Sequence, residues 1–263
     1  MSGQAARLRG GGADPQLSYF CKKIAFTLAE VLIILGIIGV VAVLMLTSLI
    51  TNIQNKGFVE KLLKTYSTLQ TVTNKVIDED GPVTSWQFVN HTIDTDNTKN
   101  EYIRNQYVKH LNVLRTCFGE SGNQETACSA MPREIKSLNN QAAYSLDGQF
   151  TSSDGSQYNR QLWSHDNIIL SDGTLINISF KDNSYITYWS YPASMVFNVD
   201  VNGKKGPNKI GRDIFFFYLE KSSGKVLPFV SPDSTHRLAN TCDKTKTGHS
   251  CAYRVITEGK MNY

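Results

Sequence analysis

Residues 22–50 read KKIAFTLAEVLIILGIIGVVAVLMLTSLI, and their reading decides the fold. Two lysines precede a long apolar run, and from Val31 to Leu46 no charged residue occurs. A helix needs about 20 apolar residues to cross the hydrocarbon core, and this run supplies them. Arg7, Arg9, Lys22 and Lys23 lie before it, which places that end on the cytoplasmic side by the positive-inside rule. Glu30 breaks the pattern. A carboxylate in the bilayer interior costs about 2.5–3.5 kcal/mol on insertion scales and calls for a partner.

A cut between Ala25 and Phe26 creates one. The new α-amino group is positive, and Glu30 lies four positions along the helix. The carboxylate then pairs with its own amine or with that of a neighbouring copy, or it snorkels to the interface. The neighbour's amine explains more, because it sets the axial offset of two packed helices. An ordinary secretory signal is excluded, since no clear A-x-A site follows the apolar run. A lipoprotein reading of Cys21 fails because no apolar region lies upstream.

The stretch KKIAFTLAEVLIILGIIGVVA resembles the type III signal of type IV pilins and type II secretion pseudopilins, with Phe26, Thr27, Leu28 and Glu30 in the family order. The resemblance implies a prepilin peptidase that cuts before Phe26 and N-methylates it, and a Glu30 that pairs with an N-terminal amine during filament assembly. It also implies an inner-membrane assembly platform with its motor ATPase. Ala25 stands where the family usually has Gly, and Thr47 and Ser48 lie where a Pro is common.

The implied layout is α+β and pilin-like: a long N-terminal helix, membrane-spanning in its first half, packed on an antiparallel β-sheet head. Residues 1–25 are read as leader, 26–50 as transmembrane or filament-core helix, 51–79 as its amphipathic continuation, and 80–263 as head. The expected location is the cytoplasmic membrane, single-pass with the head outside, and then a filament in the periplasm or at the cell surface.

The continuation rests on periodicity. Val59, Leu62, Leu63, Tyr66, Leu69, Val72 and Val76 recur at helical spacing, and Asp80-Gly81-Pro82 ends the run. Gly57 is a possible flexible point. A short helix is expected around Glu101 to Leu114, with Tyr102, Ile103, Tyr107, Leu111 and Leu114 on one face. Beyond residue 140 the pattern turns to β. AAYSLDGQF and NIILSDGTLINISF place Asp-Gly turns between β-favouring runs. YITYWSYPASMVFNVDVNG gives two strands broken at Pro192, and GRDIFFFYLEKSSGKVLPF gives a further hairpin. An antiparallel sheet of at least four strands against the helix is predicted.

Of 263 residues, 41% are hydrophobic and 19% charged, with a net charge of +4. No basic block occurs, so nucleic-acid binding gets no electrostatic support. Five cysteines are present. Cys117 with Cys128 and Cys242 with Cys251 form close pairs that read as two disulfides in an oxidising compartment, against the alternative of four reduced thiols. Zinc is disfavoured by spacings too long for paired CxxC ligands.

One stretch, FNVDVNGKKGPNKIGRDIF, gathers oxygen donors at Asp200, Asn202, Asn208 and Asp213 with glycines at 203, 206 and 211. Calcium takes six to eight oxygens, and these four residues are a candidate set. Lys204, Lys205, Lys209 and Arg212 oppose it, and the EF-hand order fails at Lys204. The stretch resembles a DxNGxxGPNxxGxD element of a bacterial pilin-like subfamily, and a structural turn with Asx caps is the favoured reading.

No GxSxG, HExxH or GxxxxGK[ST] occurs, and the five histidines are scattered. The chain reads as a substrate of a peptidase rather than an enzyme. The expected function is a processed subunit of a type IV pilus or type II secretion pseudopilus, with prepilin peptidase, other subunits and membrane lipid as partners. The alternative is a signal-anchored extracytoplasmic binding protein that never polymerises and holds a ligand such as a glycan, with Trp86, Trp163 and Trp189 as stacking surfaces.

Overall fold

A computed structural model describes residues 27–87, 98–118, 134–141, 143–145, 149–151, 157–159, 166–180, 193–203, 205–229 and 240–263. The chain divides into two compact units, Met1–Leu49 and Ile50–Tyr263. The described part of the first unit is helical. It belongs to α1, Leu28–Asp80, which is assigned as helix through Thr47, Ser48 and Gly57. Its large apolar side chains are exposed on every side, from Leu28 at 78% to Leu49 at 56%. This is the one described helix long and apolar enough to cross a membrane.

In the second unit α1 becomes one-sided. Val59, Leu62, Leu69, Val72 and Val76 are buried, and Leu63 and Tyr66 are partly buried beside them. Thr65 and Thr73 are buried on the same face. Each satisfies its hydroxyl on the carbonyl four residues back, Thr65 on Lys61 and Thr73 on Leu69, both at 2.8 Å. The helix ends where Gly81 takes φ of 81° and its N–H returns to the Ile77 carbonyl. That left-handed conformation is one glycine adopts without penalty.

Helix α2, Thr98–His110, buries Ile103 and Tyr107. Tyr107 shares a hydrogen bond of 2.8 Å with Thr73, which ties α2 to α1. Arg104 pairs with Asp166 at 2.7 Å, and its guanidinium lies over the Phe118 ring. The expected helix to Leu114 is corrected here. The helix stops at His110, and Val113–Cys117 is strand β1. Leu114 is 69% exposed and Tyr102 53%, so neither shares the buried face of Ile103, Tyr107 and Leu111. The cause is tertiary: β1 finds a ladder partner in the strand that begins at Asp166.

The main sheet has six antiparallel strands, in the spatial order β1, β6 (Asp166–Leu170), β7 (Leu175–Phe180), β8 (Ala193–Asp200), β9 (Ile214–Glu220) and β10 (Val226–Pro228). Three consecutive hairpin connections build its centre. The turn at Asp172-Gly173 follows the sequence reading: Gly173 takes φ of 82°, and the Asp172 carboxylate accepts the Thr174 N–H at 3.1 Å. The β9–β10 hairpin also forms as read. The Tyr144–Phe150 pairing of β3 (Ala143–Ser145) with β4 (Gln149–Thr151) bears out the AAYSLDGQF hairpin. With β2 (Glu134–Lys136) and β5 (Gln157–Asn159) these strands make a separate four-stranded meander.

One face of the main sheet meets α1. Register puts Ile168, Ile176 and Val199 in one cross-strand row and Ile178, Phe197 and Phe217 in the next, all buried in a common core with the helix. Tyr66 stacks on Phe217 with centroids 5.5 Å apart. The other face is buried too, and part of it is polar. Asn167, Asn177 and Asn198 stand opposite one another on β6, β7 and β8. Asn177 donates to Asn167 at 2.7 Å and accepts from Asn198 at 3.1 Å. Asn177 is fully buried.

The chain ends in α3, Cys251–Glu258, fastened by the Cys242–Cys251 disulfide. Gly248 takes φ of 91° there, and a Cβ on it would meet the Ile210 carbonyl oxygen at 2.6 Å. Backbone conformation and backbone contact both exclude a side chain. Gly248→Ala is therefore expected to destabilise the second unit by roughly 2 kcal/mol or more. Urea denaturation followed by tryptophan fluorescence checks this, and an unchanged midpoint refutes it.

Candidate functional site

Two places carry the residues singled out by sequence. The first is the start of α1. Thr27 is its N-cap. The Glu30 carboxylate accepts the Thr27 N–H at 2.8 Å and the Thr27 hydroxyl at 2.9 Å, while the Thr27 hydroxyl accepts the Glu30 N–H at 3.2 Å. This reciprocal arrangement is a capping box, which satisfies donors a helix start otherwise leaves orphaned. Reading Glu30 only as half of a charge pair missed it. The signal was present as Thr-x-x-Glu directly before an apolar run. Ala25 and Phe26 lie outside the described residues.

The second place is the connection from β8 to β9. Strand β8 ends at Asp200, which is fully buried. Its Oδ1 accepts the N–H of Asn202 at 3.1 Å and of Gly203 at 2.9 Å, and so folds the chain back in an Asx turn. Gly203 takes φ of 62°, and Asn202 Nδ2 donates across the turn to the Gly206 carbonyl. The returning limb is organised by Asp213, also fully buried. Its two oxygens accept the N–H groups of Asn208 at 2.7 Å and Lys209 at 2.6 Å. The limbs are joined where Val201 N–H donates to the Asp213 carbonyl. The meander braces the outside, since Lys136 and residues 208–210 exchange backbone hydrogen bonds.

The Asx-turn reading of this stretch holds at Asp200, whereas Asp213 accepts from backbone N–H groups four and five residues before it. Of the four candidate donors, Asp200 closes β8, and Asn202, Asn208 and Asp213 lie on the connection that follows it. They are not equivalent. Asp213 accepts a backbone N–H on each of its oxygens. Asp200 Oδ2, Asn202 Oδ1 and Asn208 Oδ1 are buried without a hydrogen-bond partner among the described residues. Positive charge is close by: Lys61 of α1 donates to the carbonyls of Asp172 and Val201 at 3.3 and 3.1 Å.

Burial, with the neighbouring Asp213 charge second, pushes the Asp200 carboxyl well above the usual range. Burial also raises Asp213 to about 6. Burial drags Lys209 below its ordinary value, aided by Arg212 and Lys136.

Elsewhere the predicted residues scatter. Cys242 and Cys251 form their disulfide. Cys117 is buried at the end of β1, and its expected partner Cys128 lies outside the described residues. Trp86 is buried and donates its indole N–H to the Gly81 carbonyl, which makes it a core residue and not a stacking surface. Trp163 and Trp189 lie outside the described residues. His249 is buried against Phe216. No family model, no curated protein and no solved structure matches the chain.

A raised carboxyl pKa means that the folded state holds its proton more tightly than the unfolded chain. The stability this contributes is complete below about pH 4 and is lost as pH rises through about 6. Asp200→Asn keeps an oxygen for the Asn202 and Gly203 N–H groups and removes one of the two buried charges. Its melting temperature should gain on wild type as pH goes from 4 to 7. Calorimetry at matched ionic strength tests this, and a pH-independent difference contradicts it.

Proposed function

We propose that this chain is a pilin-like filament subunit, made as a membrane precursor, cut before Phe26 by a prepilin peptidase and assembled through its apolar helix. The observation that carries the reading is the first part of α1. Its large apolar side chains are exposed on all sides, and its one carboxylate stands in the first turn. Each such side chain left in water forgoes about 1.5–3 kcal/mol of burial. A surface of this kind needs lipid before assembly and other copies of the same helix after it. The peptide signal at residues 22–42 supplies the family resemblance, and the α+β layout of helix and antiparallel sheet is compatible with it.

In this reading apolar burial supplies cohesion and Glu30 supplies register. The carboxylate leaves its capping box, or shares it, to meet the Phe26 amine of an adjoining copy. The energy for extraction from the bilayer comes from a separate motor ATPase at an inner-membrane platform. Whether the filament is a type IV pilus or a type II secretion pseudopilus lies with those partners, which supply the machinery around a common subunit design.

The capping box makes the charge test sharper. Glu30→Val removes cap and charge together, whereas Glu30→Gln keeps a side chain able to cap and removes only the charge. Both variants should insert into the membrane and be cut before Phe26, as judged by mass spectrometry of the mature N-terminus. Both should fall at least tenfold in the sheared filament fraction. Wild-type incorporation of Glu30→Gln would eliminate the register role. A native N-terminus at Met1 would eliminate the processing step itself.

A further inference from the structure

We propose that Lys136, Lys209 and Arg212 form a binding site for a phosphate group, free or carried as a monoester, where the four-stranded meander meets the β8–β9 connection. The backbone gathers the three residues. Lys136 of β2 and Lys209 are partners in a parallel bridge, with the Lys136 N–H on the Asn208 carbonyl at 2.9 Å and the Ile210 N–H on the Lys136 carbonyl at 2.8 Å. Bridge partners send their side chains out of the same face, from backbones about 5 Å apart. Arg212 then closes a turn on Lys209, its N–H donating to the Lys209 carbonyl at 3.0 Å. Such a turn keeps its end residues within about 7 Å of one another. Three long cationic side chains therefore start from one small patch, which puts a single ion within reach of all of them.

The chain does not answer these charges itself. Lys209 and Arg212 are half-buried, and the side chain of neither has a hydrogen bond or an ion pair among the described residues. The Arg212 Nε is buried without a partner. Two carboxylates border the group. Glu134 lies 3.6 Å from the Lys136 ammonium, whose side chain stays 49% exposed. Asp213 is fully buried, and each of its oxygens accepts a backbone N–H, from Asn208 and from Lys209. After burial itself, Arg212 and Lys136 hold the Lys209 ammonium below its ordinary value, while Asp213 acts the other way. Like charges opposite one another on paired strands are destabilising, and a bound anion relieves that repulsion.

The donor set fits phosphate better than carboxylate. Two ammonium groups and a guanidinium each need an acceptor. A phosphate monoester brings three terminal oxygens and a charge of about −1.5 to −2, where a carboxylate brings two oxygens and a single charge. The planar fork of Arg212 matches two phosphate oxygens, and Lys136 and Lys209 act beside it as point charges.

The test uses the full chain purified in detergent. It needs neither processing at Phe26 nor assembly, so its failure leaves the filament reading untouched. Thermal unfolding is followed in sodium phosphate and in sodium chloride of equal ionic strength at neutral pH. Phosphate at about ten times its dissociation constant should raise the wild-type melting temperature by roughly 3–6 °C. Lys209→Gln combined with Arg212→Gln keeps the backbone N–H groups of the connection and removes two of the three charges. That variant should lose the rise while circular dichroism shows it folded. Should it fail to fold, Lys136→Gln on the exposed side of β2 takes its place, with the rise expected to fall by at least half. The phosphorus resonance of inorganic phosphate should broaden on adding wild type and stay sharp with the variant. Glycerol 3-phosphate tells the two sources apart: a larger rise than with inorganic phosphate assigns the site to a carried monoester, and an equal or smaller one to the free ion. Wild type that melts within a degree in phosphate and in chloride overturns the proposal. So does an equal rise in wild type and variant, which is what general exclusion of phosphate from the protein surface produces.

Discussion

Everything in this molecule depends on how two stretches of one helical element meet their surroundings. Before residue 50 the element offers apolar side chains in all directions, exposed among the described residues. After residue 50 the apolar positions narrow to one stripe, and a six-stranded sheet covers it. The hydrophobic effect acts on both, and the second stretch meets it within its own unit. The first is a demand addressed to lipid or to other molecules.

The second unit shows how such a stripe is held in a fixed position. Burial of Leu62 and Leu69 is non-directional and would tolerate some sliding of the helix on the sheet. Polar contacts remove that freedom. The Lys61 contacts to Asp172 and Val201 fix α1 directly, and the Thr73–Tyr107 hydrogen bond with the Arg104–Asp166 pair fixes it through α2. On the far side of the sheet the row of Asn167, Asn177 and Asn198 does the same for strand register, since a one-residue slip would turn all three amides to the other face. Packing provides the stability, and a few directional bonds choose the geometry.

The β8–β9 connection follows a different logic. It is rich in acceptors and turns tightly, with Gly203, Asn208 and Gly211 all at positive φ. Two buried carboxyl groups organise it, one for each limb. A loop built only for compactness would use fewer buried oxygens, because each one must be desolvated.

The sequence by itself determined what depends on neighbours along the chain. The apolar run, the amphipathic stripe from Val59 to Val76, the stop at Gly81 and the hairpins at Asp172-Gly173 and after Glu220 all follow from local periodicity and turn chemistry, and all are present. The Thr27–Glu30 capping box was equally local, yet attention to the charge of Glu30 obscured it. What needed tertiary structure were choices between comparable local options. Residues 113–117 became strand because β6 offered a ladder, although a helical continuation to Leu114 fitted the pattern. Thr65 and Thr73 can be buried because their hydroxyls bond within the helix, which no hydropathy pattern reveals. Above all, four oxygen-bearing residues of one motif were equal in sequence. Folding separated them, because backbone N–H groups reach both oxygens of Asp213 and leave one oxygen each of Asp200, Asn202 and Asn208 unmet.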